Sequence, residues 1–571
     1  MCSSDLWGPP SLSFASGVSG LGDGQSSFTR NQQASISENF FWNHGAHNVT
    51  VVGDIRRNQY NLISQQNPRG AFQFTGQAVG NDFAGFLLGI PDGSSIAFGN
   101  ADKYFRASSY DVGFTDDWRV SPSLTINAGL RWDYSTPVVE QYGRLVNLDI
   151  ASGFGAVAPV VANKPTGPLT GASYADSLVN PDRHAFQPRV GLSWRPFMAS
   201  SMVVRAGYGV NYDTNVYFPI AARMAQQSPL SKSLAIQNSL ANPLTLANGF
   251  NAPPNQLTNT FAVDPNLHIG YVQSWQVSVQ RDLPGSLVMT ANYLGIKGTH
   301  AMQQILPNTY PLGAANPCPS CPTGFAYLLS GGNSIRNAGT VMIRRRLHNG
   351  FTGSVNYTYS KSIDDAALGG QGQAGSTLIA QNWLDLRAER ALSNFDQRHL
   401  VTLNGQYTSG MGLKGGTLLG GWKGPLLKDW TFASDLTMGS GRPLNPVYTA
   451  LTAGTGVAGT IRPDVTGLSL YDAPAGLFLN PAAFAKPASG HWGNAGRNTI
   501  TGPRQFVMNA SMARTFRMSD RLNTDVRFQA TNVLNHVTYP SWIANINSLQ
   551  FGLPGTANQM RTLQATVRLR F

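Results

Sequence analysis

Few residues in the sequence are spaced for chemistry. Asp364-Asp365 is a carboxylate pair that could grip a divalent cation or an iron complex, at a strand end opening a long loop. His44 and His47 stand three apart, as two imidazole ligands could, but they flank a turn where two polar residues need no further purpose. Asp396 and His399 supply an acid and a base with no serine or cysteine at motif spacing. Hydrogen bonding at a strand entry accounts for them better than a triad does. Gly493, Gly496 and Gly502 lack the strand-to-helix setting of a phosphate cradle. Asp82–Gly89 could be a short amphipathic helix, with packing rather than binding as its role.

Cys318 and Cys321 form a C-P-S-C in the loop Asn316-Pro-Cys-Pro-Ser-Cys-Pro, and Cys2 is the third cysteine. Such spacing suits half of a zinc site or a redox pair. With no second CxxC or HxxxH nearby, a local disulfide clip between Cys318 and Cys321 is the better account, and it requires an oxidising compartment. No catalytic residue, metal ligand or cofactor is assigned, and the chain is expected not to be an enzyme.

The elements that position these residues read as strands. Of the 571 residues 12% are charged, roughly half the ~25% of a soluble globular protein. There are 61 glycines and 34 prolines, above average usage. Mean hydropathy is −0.16. No apolar run approaches the 18 or so residues of a spanning helix. The net charge is +12, from 41 Lys and Arg against 29 Asp and Glu. The densest basic cluster is Arg344-Arg345-Arg346 and the rest is scattered singly, which argues against a nucleic-acid partner. Arginine inside and around the rim of a barrel, beside an anionic membrane surface, fits better.

Period two dominates. From Leu124 the even positions read Leu124, Ile126, Ala128, Leu130, Trp132 and Tyr134, opposite Thr125, Asn127, Gly129, Arg131 and Asp133. A helix, with its period of 3.6, would mix the two sets. The pattern recurs about fifteen times in segments of spanning length, roughly 9–11 residues. A further hairpin is conceivable within 59–102. Short turns such as Asn349-Gly350 join pairs of strands, while long polar stretches at 135–187, 213–270, 295–337, 361–396 and 441–504 separate the pairs. Short turns on one side and long loops on the other describe a transmembrane antiparallel β-barrel of the bacterial outer membrane. The chain is expected to be all-β, with long extracellular loops and short periplasmic turns.

On this reading Arg131, Arg205, Arg527 and Arg568 fall on the polar stripe and face the lumen. Arg345 shares the stripe of Val341 and Ile343 but lies near a turn, where it can snorkel. The last strand sets Leu563, Ala565, Val567, Leu569 and Phe571 against Thr562, Gln564, Thr566, Arg568 and Arg570. Leu563, Val567, Leu569 and the terminal Phe571 look like the signal that a barrel-assembly machinery reads.

Several segments resemble the Oar-like TonB-dependent receptors. They are Phe114-Thr-Asp-Asp-Trp-Arg-Val with Asn127-Ala-Gly-Leu-Arg-Trp-Asp-Tyr134, Asn394-Phe-Asp-Gln-Arg-His399 and Gly493-Asn-Ala-Gly-Arg-Asn-Thr499. Arg527-Phe-Gln-Ala-Thr-Asn-Val-Leu-Asn-His536, Gly70-Ala-Phe-Gln-Phe-Thr-Gly76 and Asp82-Phe-Ala-Gly-Phe-Leu-Leu-Gly89 match as well. The resemblance implies a 22-stranded barrel, an N-terminal plug, a regulatory-like domain and energy from the TonB complex. No stretch here resembles the plug, the TonB box or the regulatory-like domain. Residues 1–571 are therefore expected to be one partial barrel domain, the C-terminal ~15–17 strands, with an odd number missing from the front.

The expected partners are outer-membrane lipid and lipopolysaccharide, the barrel-assembly machinery, the TonB complex through the missing N-terminal region, and an unidentified extracellular ligand. The expected function is TonB-dependent uptake. The alternative is a non-transport barrel serving as a surface adhesion or structural protein through its loops.

Overall fold

The computed structural model describes residues 8–571, except 17, 25–26, 66, 241–242, 252–258, 312, 319–324, 366–378, 411–421, 423–426, 449–460 and 519–521. Among the described residues, fifteen long strands follow one another as a meander. The first five are β1 (Phe28–His44), β2 (His47–Ile63), β3 (Asp102–Ser121), β4 (Leu124–Ser135) and β5 (Phe186–Trp194). Next come β6 (Val203–Tyr212), β7 (Tyr271–Leu283), β8 (Leu287–Ile305), β9 (Ala326–His348) and β10 (Phe351–Asp364). The series ends with β11 (His399–Thr408), β12 (Thr431–Gly439), β13 (Gln505–Arg517), β14 (Asn523–Thr531) and β15 (Thr562–Arg570). Each pairs antiparallel with the one before it.

The register explains why alternation specifies this wall. Opposed residues share a face, so apolar positions stack on apolar ones from strand to strand. Phe114 lies opposite Leu130 and Leu130 opposite Pro188; Leu403 lies opposite Leu436, and Leu436 opposite Met508. Trp275 lies across from Gly295, where a Cβ would collide with the indole ring. The apolar stripe is not covered by protein: Leu130 is 49% exposed, Val277 46% and Leu569 60%. A continuous band of exposed apolar side chains is intolerable in water over this area and is what a lipid-facing wall requires.

The two ends of the wall differ. At one end the connections are 45–46, 122–123, 195–202, 284–286, 349–350, 409–430 and 518–522. The Asn349-Gly350 turn has φ of 51° and 79°, the doubly positive geometry of a two-residue hairpin. At the other end lie 64–101, 136–185, 213–270, 306–325, 365–398, 440–504 and 532–561, whose described residues fold together as a crown. β8 and β9 reach to Ile305 and from Ala326, so 295–337 is mostly strand standing beyond the membrane span rather than loop. Register shifts between Gly298 and Gln303 break the alternation there, which hides the strand from a period count.

The hairpin suggested within 59–102 belongs to the crown. Asn67–Phe74 and Gly93–Phe98 pair with each other, and Ser11–Phe14 and Lys232–Gln237 flank them in a separate sheet. Helix α1 (Asp82–Leu88) starts where Asn81 accepts from the Ala84 N–H at 2.9 Å and stops at Gly89, φ 69°. Its Phe86 packs on Phe14 and Phe74, so it rests on the crown sheet and not on the wall. A second helix, α2 (Tyr217–Met224), buries Ile220 and Met224 in a core with Phe105, Leu145, Leu178 and Phe261.

Among the described residues, β1 pairs only with β2 and β15 only with β14. Because fourteen antiparallel steps separate them, β1 and β15 run in the same direction, both away from the crown.

Candidate functional site

The polar face of the wall carries most of the titratable side chains that the strands position. Asp54, Asp111 and Asp133 stand in one row across β2, β3 and β4. Arg131 bridges the row, donating to Asp111 and, through Nε, to Asp133 Oδ1 at 2.7 Å. Arg56 pairs with Asp54 at 2.5 Å, Ser37 donates to Asp54, and Gln187 donates to Asp133 at 2.5 Å. Three carboxylates thus share two guanidiniums on one patch of wall. Arg131 lies on the face opposite Leu130 and Trp132, as the alternation requires.

Further along the same face the balance reverses. A groove of about 550 Å³ is lined by Arg344, Arg527, Asn404, Asp435, Asn509 and Gln529. Asn509 donates to Asp435 at 2.8 Å, and Arg344 and Arg527 contribute two guanidiniums to the lining. Arg205 donates to Gln280 at 3.3 Å beside a groove of about 470 Å³ that also holds Arg189, Asn127 and Gln276. Arg568 stands opposite Asp525, which pairs with Arg570 at 2.5 Å. A polar molecule moving along this face would meet an acidic patch at β2–β4 and guanidiniums from β5 to β15.

Two of the arginines on the apolar face sit by aromatic rings near the short turns. Arg345 lies 5.3 Å from the Phe351 ring, and Arg514 lies 4.4 Å from Phe516 and 5.8 Å from Trp430. Both can snorkel past the edge of the apolar band.

A model of the outer membrane beta barrel domain matches residues 2–564. The chain belongs to that family. It is a bacterial outer-membrane protein. No curated protein matches the sequence. Among solved structures it is similar to the outer membrane transporter YddB from Escherichia coli, at 12% identity and a TM-score of 0.52, covering 95% of this chain and 54% of that one. It also matches the ferric-catecholate import receptor Fiu from E. coli K12, at 10% identity and a TM-score of 0.45, over 95% and 55% of the two chains. The siderophore receptor PiuA from Acinetobacter baumannii matches at 10% identity and 0.45, over 96% and 56%. This chain spans about half the length of each. The likeness to YddB shows the barrel fold alone.

In the crown of this barrel the small motifs prove to be structural. Asp364 is fully buried and accepts from Arg497, while Asp365 accepts from the Asn333 N–H at 2.8 Å, so the carboxylate pair is divided between two jobs. Arg497 also donates to the Glu389 carbonyl at 2.8 Å, and Arg462 Nη1 grips both Glu389 oxygens at 3.0 and 2.9 Å. This four-residue ionic cluster ties 365–398 to 440–504. Its Arg497 lies in the Gly493–Thr499 segment, but Glu389 and Arg462, 73 residues apart, had no sequence signal. Asp396 accepts from the Ser362 N–H at 2.6 Å and His399 meets the Tyr357 hydroxyl at 2.9 Å, orienting the entry to β11.

His47 Nδ1 lies 2.7 Å from Asp116 and its ring stacks on Trp118. His44 stacks on Trp42. Among the described residues no group of three metal-ligating side chains converges. Cys318 is disulfide-bonded and buried; Cys321 lies outside the described residues.

Several crown carboxylates have displaced affinities for protons, Asp149 and Glu140 among them. Burial works to raise Asp149, but Thr170, Leu169 and Tyr174 donate to it and hold it below the usual carboxylate range. Burial likewise opposes ionisation of Glu140, and Arg144 with the Tyr142 N–H outweighs it, so this group is lowered too.

Leu563, Val567 and Leu569 share the apolar face of β15 with exposures of 71%, 67% and 60%. Phe571, just beyond the strand, is fully exposed.

Proposed function

We propose that this chain forms the wall and crown of a receptor that takes up a substrate across the outer membrane with energy delivered by the TonB complex. The long-loop end faces outward, and Arg131, Arg205, Arg527 and Arg568 line the inside. One observation supports this reading most: a wall apolar on one face and strongly polar on the other, roofed by loops that fold as a globular crown. An inert membrane anchor needs no charged inner face, whereas a path for a polar solute does. The exposed Leu87 and Leu88 of α1, at 70% and 65%, favour a second reading, in which the crown adheres to a surface and nothing is transported.

The test uses the host strain carrying the intact gene and its deletion. Profiling of spent medium should show a small molecule that the deletion strain leaves behind. Uptake of that compound by the parent should stop when a protonophore collapses the proton-motive force. Uptake that persists under the protonophore, or identical media with lost surface attachment, would overturn the transport reading in favour of the second.

A further inference from the structure

Where β11, β12 and β13 meet the crown, the apolar face of the wall is hollowed into a groove of about 670 Å³. Its floor is Val401, Met438 and Phe506, all on the face that carries the apolar stripe. Its upper edge is cationic and polar: His399, Arg504 and His536 line it. The His536 ring meets the Phe506 ring edge-on at 5.2 Å, and Leu534, 60% exposed, closes the side. Arg398 adds a second guanidinium at this level, 5.8 Å from the Tyr359 ring. Among the described residues, Arg504 and His536 have no acidic partner, and the one carboxylate beside Arg398, Asp396 at 3.7 Å, is buried.

Two other arginines of the apolar face, Arg345 and Arg514, lie at the short-turn end and rest on aromatic rings. Here Arg504 lines an open apolar slot. A slot for acyl chain below a row of cations and imidazole donors is complementary to an amphiphile with an anionic head. The groove lies at the crown end of its strands, which the proposed orientation places in the outer leaflet. We propose that it binds a phosphate-bearing glycolipid of the outer leaflet, with the chains on Met438 and Phe506 and the phosphate between Arg504, His536 and His399. The leaflet rests on that orientation; the chemistry of the groove does not.

The experiment takes the full protein, extracted from the outer membrane in a neutral maltoside detergent, and records lipid retention by native mass spectrometry. The probes are bisphosphorylated lipid A, the same lipid after phosphatase treatment, and inorganic phosphate as competitor. Bisphosphorylated lipid A should stay bound and the dephosphorylated form should be lost at lower collision energy. An Arg504→Ala/His536→Ala double variant should bind about tenfold more weakly, in line with the few-fold expected for each cation at an anionic surface. Arg346→Ala, at the opposite rim, should bind like the parent. Met438→Asp should also weaken retention, because the chain slot is then charged, while inorganic phosphate should not.

Equal binding by the parent and the double variant would overturn the proposal. So would full displacement by inorganic phosphate, which would make this a free-anion site. None of these measurements depends on uptake, so failure of the transport reading and failure of this site are separable.

Discussion

Wall and crown are built from one chain by two kinds of physics. The wall spends its backbone polar groups on fourteen strand ladders and leaves side chains half exposed on both faces. Its apolar residues do not form a core; Leu130, Val277 and Val341 point away from the protein. The crown is the reverse. Leu145, Val263, Leu267 and Ile269 are almost wholly buried, and ion pairs between Arg462, Arg497, Glu389 and Asp364 are sealed inside. The wall is thus stable only in its solvent, the bilayer, where each unsatisfied backbone group would cost several kcal/mol. The crown carries its own interior into water. Damage to one should therefore leave the other standing.

The largest effect is expected in the crown. Glu389→Ala would leave Arg462 buried without its carboxylate, a loss of about 3–5 kcal/mol for a broken buried pair. Segments 365–398 and 440–504 should become protease-sensitive and exchange amide hydrogens faster. The wall should keep its heat-modifiable migration. Loss of the folded band together with the crown would show that the two parts are one cooperative unit.

Next comes the lipid face of the wall. Val277→Arg, between Ala206 and Tyr293 in mid-strand, should cost about 2–4 kcal/mol in lipid. Asn292→Arg on the opposite face, between Ser278 and Thr340, should fall within about 0.5 kcal/mol of the parent. Urea titrations in lipid vesicles measure both. Equal costs would mean that the two faces do not see different solvents.

These two predictions also mark where the sequence was legible. A strand records its environment locally: Leu130 and Arg131 are neighbours and land on opposite faces, so wall, turns and polar stripe could be read from period two. Asn349-Gly350 announces its own turn for the same reason. The crown records nothing of this kind. Glu389 meets Arg462 across 73 residues, and Asp364 meets Arg497 across 133. Such contacts leave no periodicity, so the sequence could not show that Asp364 is a buried anchor for Arg497. The overlong β8 and β9 failed the period test because their extensions are bulged and enter the crown, where Gln303, Gln304, Ile305, Ala326 and Leu328 are buried and neither face is turned to lipid. The lipid-face groove was invisible because its cations come from three separate segments.

Acid should separate the two regions by a smaller margin. Asp149 and Glu140 have folded-state pKa values below their ordinary 3.8 and 4.5, so the stability they give is complete above those values. It drains as the pH falls through the lower folded-state values. Below about pH 4 the 136–185 segment should loosen first, seen as faster amide exchange there than in β4 to β7. Asp149→Asn should remove part of the pH dependence. A segment that loosens equally in the variant would assign the acid response to other groups.

The smallest effect on stability belongs to Phe571, and it isolates assembly from both regions. The residue lies outside β15, is fully exposed and pairs with nothing in the ladder, which ends at Arg570 opposite Asn523. Deleting it removes no packing, so the urea midpoint of protein already folded should move by less than about 0.5 kcal/mol. If Phe571 with Leu569, Val567 and Leu563 forms the face that the assembly machinery grips, deletion must act earlier. The heat-modifiable fraction reaching the outer membrane should then fall several-fold in a pulse-chase, and Phe571→Tyr should restore it, because an aromatic ring at that position is what is read. Unchanged assembly after deletion would remove the signal role. A shifted urea midpoint would instead place Phe571 in the wall, with the residues that hold it together.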